Sequence, residues 1–123
     1  MKYDILLKGG TVIDPAQQLH DQRDVAIADG KIAAIEKDIS ESRAKQTVFV
    51  KDRYVTPGLV DIHAHVYAGV TTWGIKADPV CTTAGTTTIV DAGSPSWATF
   101  PGFQEFIAQP ARTQILTYIH ISG

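Results

Sequence analysis

The chain has one cysteine, Cys81, so an internal disulfide is excluded and the composition suits a reducing compartment. It has no apolar run near the roughly 20 residues that a membrane span needs. The N-terminal apolar run is only Ile5-Leu6-Leu7, shorter than the core of a secretory signal, and charge precedes it at Lys2 and Asp4. It has no basic block either. The 11 Lys and Arg are scattered and the net charge is −2, which gives no reason to expect a nucleic-acid partner. The threonine-rich stretches at 71–72, 82–83 and 86–88 carry no phosphate-cradling glycine pattern, so nucleotide binding is set aside. What is present is an ordinary globular composition, 44% hydrophobic and 20% charged over 123 residues. A cytoplasmic protein is expected.

Residues 1–56 read as a small β domain without a helix, an antiparallel sheet or half-sandwich. Tyr3 to Leu7 is a short strand that Gly9-Gly10 breaks and Thr11 to Ile13 resumes, until Asp14-Pro15 stops it. Asp24 to Ile27 and Lys31 to Ile35 flank Asp29-Gly30, the strongest short hairpin signal, because both turn residues must take positive φ. His20 falls in a polar loop, Gln17 to Gln22, and is expected to be solvent-exposed. Ser40 to Gln46 reads as a loop, Thr47 to Val50 as a strand, and Arg53 to Val55 as its extension.

After Pro57-Gly58 the pattern changes to strand, loop, helix, the rhythm of parallel α/β units. Leu59 to Ala64 is a near-continuous apolar strand, followed by a loop over 66–75. A short helix is predicted over Ala77 to Ala84, ended by Gly85. Thr86 to Asp91 is a β-branched strand, 92–99 a loop with Ser94-Pro95-Ser96 turn chemistry, and Phe100 to Gln109 a helix. That helix places Phe103, Phe106 and Ile107 on one face. Ile115 to Ile121 completes a third strand, and all three are expected to be buried on both faces.

The chemistry-bearing residues gather at the strands' C-terminal ends. Strand alternation puts Asp61, His63 and His65 on one side. Two imidazoles on one face with a carboxylate behind them suit a divalent metal better than a packed core. Asp61 is expected to orient an imidazole by accepting its second N–H. Asp91 either touches substrate or a histidine, or caps a turn. Cys81 reads as a small buried apolar residue rather than a reactive thiol. Trp73 and Trp97 either line a pocket or pack against helices.

The stretch Pro57-Gly58-Leu59-Val60-Asp61-Ile62-His63-Ala64-His65 resembles the signature of the amidohydrolase superfamily. The opening from Asp4 to Asp14, the Asp29-Gly30-Lys31-Ile32 hairpin, Gly85 to Ser94 and Arg112 to Ser122 are also similar to it. Within that superfamily the chain resembles the deacetylase and D-aminoacylase-like group, with dihydroorotase-like members. The resemblance implies a small β-sandwich followed by a (β/α)₈ barrel, here residues 57–123 as its first three strands. It implies hydrolysis of an amide, cyclic amide or ester carbonyl in a small molecule, with one or two divalent ions. Zinc is the default, and iron, manganese, nickel or cobalt also fit. His63 and His65 match the first-strand ligands. The family completes its site with a lysine, two histidines and a proton-transferring aspartate on later strands. None of these lies within this chain, so no catalytic residue is assigned in it and the isolated chain is expected to be inactive. His120 stands where the pattern calls for asparagine and reads as drift rather than as a ligand. The alternatives are a non-catalytic remnant or interaction module, oligomeric through open strand edges, and one half of a split enzyme completed by a separate C-terminal chain.

Overall fold

The computed structural model describes residues 2–122; Met1 and Gly123, the outer ends of the two expected domains, lie outside the described residues. It forms two compact units, one up to Pro57 and one from Gly58 onward. In the first, Asp29 and Gly30 take φ of 51° and 70° and join strands β2 (Leu19–Ala28) and β3 (Lys31–Glu36) as the hairpin anticipated from sequence. Strand β1 (Tyr3–Asp14) runs through Gly9 and Gly10 rather than breaking there. Gly9, at φ 80°, absorbs a register shift against β2 between Leu7 and Gly10. Asp24 fills the space beside that shift and accepts hydrogen bonds from the Gly9 N–H, Lys8 Nζ and the Ile39 N–H.

The sheet of this unit is mixed, not antiparallel as expected. Its order is β3-β2-β1-β4, with β4 (Ala44–Phe49) and the short β5 (Tyr54–Val55) both parallel to β1. The crossing segment after β3, with a 3-10 turn at Glu41–Arg43, carries the chain back to the start of β1, so β4 enters from the same end. Hence part of the expected 40–46 loop is strand. The turn at Asp52, φ 60°, separates β5 from β4. His20 is exposed, as anticipated, but lies in β2 opposite Ile13. Tyr3, Leu6, Ala26, Ile39 and Ala44 form the core.

The second unit contains β6 (Leu59–Ala64), helix α1 (Ala77–Ala84), β7 (Thr86–Asp91), helix α2 (Phe100–Phe103) and β8 (Gln114–Thr117). The three strands form a parallel sheet in the order β6-β7-β8. Val66, Tyr67, Ala77, Cys81, Ile89 and Phe103 pack as its core. Cys81 is buried, in keeping with the apolar reading of that residue. The strands are not buried on both faces. β6 is exposed nearly throughout and β8 half so, because within the described residues the core gathers around β7. The expected helix over 100–109 is an α turn that widens into a π turn at Gln104–Ala108. The wider turn carries Phe106 off the buried face into solvent while Phe103 stays in the core. β8 stops at Thr117, and Tyr118 and His120 instead donate N–H bonds to Asp91 O and Pro95 O. No helix among the described residues is long and apolar enough to cross a membrane.

Candidate functional site

The site is built where β6 ends. Gly58 begins it, since a Cβ there would collide with the Thr87 side chain on β7. The absence of that carbon lets the Leu59 N–H reach Gly85 O at 3.0 Å and sets β6 beside β7. His63 lies next to the last residue of the strand and His65 just past its end at Ala64, where the register against β7 shifts between Asp61 and Ala64. The His63 and His65 rings meet edge to face, with centroids 5.8 Å apart. His63 is exposed and His65 half-buried, with the Trp73 ring edge-on to it at 5.9 Å.

Asp61 and Asp91 act on the backbone. The Asp61 carboxylate accepts the His63 N–H at 3.0 Å and so shapes the strand end, not an imidazole. Asp91 is fully buried at the end of β7. One of its oxygens accepts the Val66 N–H at 2.7 Å and the other the Ser94 N–H at 2.5 Å. Both oxygens therefore serve the loops that follow β6 and β7. Two more bonds close these loops at the histidine strand: Ile75 N–H to His65 O and Ala92 N–H to Ala64 O.

Sequence reasoning missed Ser94 as a partner of the site. Its hydroxyl lies 3.0 Å from His65 Nδ1. The Ser94-Pro95-Ser96 run announced a turn, but nothing local announces a contact 29 residues away. Trp97 is exposed, and His120 is an exposed residue whose Nδ1 meets the Ser122 hydroxyl at 2.7 Å. Among the described residues, no three of His, Cys, Asp and Glu converge on one point. The histidines form a pair. Rings this close can share one divalent ion, to which imidazole bonds run about 2.0–2.1 Å, and two nitrogens fill half of a tetrahedral zinc shell.

No family model matches the chain. A deacetylase of Agrobacterium fabrum is 37% identical over 95 residues, which is 77% of this chain and 23% of that protein. The crystal structure of a dihydroorotase superposes with a TM-score of 0.75 at 30% identity, covering 94% of this chain and 30% of that one. The N-acyl-D-glutamate deacylase of Bordetella bronchiseptica, solved with zinc and a phosphonate inhibitor, gives 0.59 at 27% identity over 76% of this chain and 19% of its own. The chain thus spans less than a third of the length of these relatives.

Proposed function

The chain belongs to the amidohydrolase superfamily, matching the N-terminal part of its longer members, and from that premise we propose that it supplies the first half of a metal site for hydrolysis at a carbonyl carbon. His63 and His65 are the ligands in this reading. The carrying observation is their edge-to-face pairing at the C-terminal end of a parallel strand, the edge where α/β folds collect their chemistry. Zinc in the deacylase neighbour supports a divalent cation of that type. Bound there, such an ion would supply Lewis acidity toward a carbonyl oxygen and toward water. The chain's own part is to hold two imidazoles near each other. Asp61 fixes the strand end that carries them, and Trp73 covers one side of His65.

In the same reading, residues 1–56 are the small β domain, and the sheet β6-β7-β8 is the start of a (β/α)₈ barrel. The substrate is a small molecule with an amide, cyclic amide or ester carbonyl, in line with the deacetylase and dihydroorotase names of the relatives. The exposed outer strands β6 and β8 favour a requirement for covering strands from the same or a complementing chain. The test is zinc binding and turnover by the purified 123-residue chain, with N-acetyl amino acids and dihydroorotate as substrates. Weak binding that His63→Ala or His65→Ala abolishes, without turnover, is expected. Binding unchanged in both variants would remove the ligand assignment, and metal-dependent turnover would overturn the expected inactivity.

A further inference from the structure

We propose that Ser94 is a positioning residue for His65: its hydroxyl engages Nδ1 and leaves Nε2 as the ring nitrogen that faces a metal ion. The inference rests on the ligand reading above and adds which atom of His65 binds and what selects it. A neutral imidazole carries one proton and one lone pair, so the hydrogen bond at one nitrogen decides what the other can do. Ser94 Oγ lies 3.0 Å from Nδ1. A serine hydroxyl can donate to an Nδ1 lone pair or accept an Nδ1 proton. Ser94 is assigned the acceptor role, which leaves the free lone pair on Nε2, the usual arrangement behind a ligating histidine.

The hydroxyl is held in place by structure behind it. The Ser94 N–H donates to Asp91, which is fully buried and cannot swing away. The other Asp91 oxygen accepts the N–H of Val66, the residue next to His65. One carboxylate thus ties down the backbone beside the imidazole and the backbone beneath the serine. Gly93, at φ 95°, makes the turn between Asp91 and Ser94 that an L side chain would strain. His63, by contrast, is exposed, and among the described residues its ring makes no hydrogen bond. The two histidines therefore differ: His65 is preorganised, and His63 adjusts to meet the ion.

The test reads the tautomer directly, from ring ¹⁵N spectra of the metal-free chain with its imidazoles neutral. His65 in the unaltered chain should carry its proton on Nδ1. Ser94→Ala should shift it toward the Nε2-protonated form, and Ser94→Thr, which keeps the hydroxyl, should restore the original spectrum. An unchanged Val66 amide resonance in each variant shows that the Asp91 clamp has survived. A second readout is Co²⁺ titration followed by quenching of Trp73, in a Trp97→Phe background. Ser94→Ala should weaken binding about 10–100-fold, the usual loss on removing the partner of a ligating imidazole. A His65 tautomer identical in the unaltered and Ser94→Ala chains would overturn the proposal. Loss of the ligand reading shows separately, as Co²⁺ binding that survives His63→Ala and His65→Ala.

Discussion

Asp24 is the residue whose charge the first unit leans on. Burial alone would raise its carboxyl, but hydrogen bonds from Lys8 Nζ and from the Ile39 and Gly9 N–H groups outweigh burial and hold it below the ordinary 3.8. Lys8 is raised in turn, chiefly by its bond to Asp24 and then by Asp38, and stays charged across the working range. A folded value below the unfolded one means that the unfolded chain takes up the proton first. The stabilisation is therefore complete above about pH 4 and is lost as pH falls through the lowered value. Urea midpoints measured from neutral to acid should fall along that limb. Asp24→Asn should flatten the limb and cost about 1.5–3 kcal/mol at neutral pH, the range for a hydrogen bond to a charged group. An acid limb unchanged by the substitution would place the transition elsewhere. Legibility at this scale depends on distance along the chain. His63 and His65 announce themselves because they stand two residues apart at a strand end. Asp24 with Lys8, 16 residues apart, and Ser94 with His65, 29 apart, meet only once the sheets form.

Elements bounded by their own turn chemistry were read from the sequence to the residue. Leu59–Ala64, Ala77–Ala84 and Thr86–Asp91 are such cases. Gly85 shows why: it closes α1 at φ 72°, where its N–H reaches Cys81 O, and β7 begins at the next residue. A Cβ at Gly85 would meet no atom within 4 Å, so Gly85→Ala tests backbone strain alone. It should destabilise the second unit by about 1–2 kcal/mol, read as a lower denaturation midpoint. Gly85→Asn should lose less, because asparagine tolerates the left-handed region, and equal losses would point to another cause. Elements shaped by partners were less legible. The parallel pairing of β4 depends on where the crossing segment returns. The π turn at Gln104–Ala108 breaks the period from which the Phe106 face was read. A glycine pair that looked like a strand break is a shift that Asp24 stabilises.

Across the second unit, the apolar pattern that identified parallel strands says nothing about which of their faces the same stretch covers. Ile62 is 74% exposed on β6 and Leu116 50% exposed on β8, although both read as core. Among the described residues, each of these outer strands pairs on one edge only, with β7. The purified chain should therefore self-associate and bind a hydrophobic dye. Ile62→Lys combined with Leu116→Lys should raise the monomer fraction in sedimentation without altering the β1–β5 unit. A chain that is monomeric and dye-silent before substitution would contradict this account. The rhythm of strands and helices was legible because it is written locally. The exposure was not, because a side chain's cover lies far from it in sequence.

Asp91 carries a consequence for the order in which the protein is made. Its carboxylate binds a donor 25 residues upstream and another three residues downstream. During synthesis the histidines emerge from the ribosome well before the aspartate that ties down the loop behind them. A nascent chain that has already displayed His63 and His65 is still without their finished frame. That frame closes when residues 91–94 arrive, so the backbone behind the two histidines is shaped only as β7 docks.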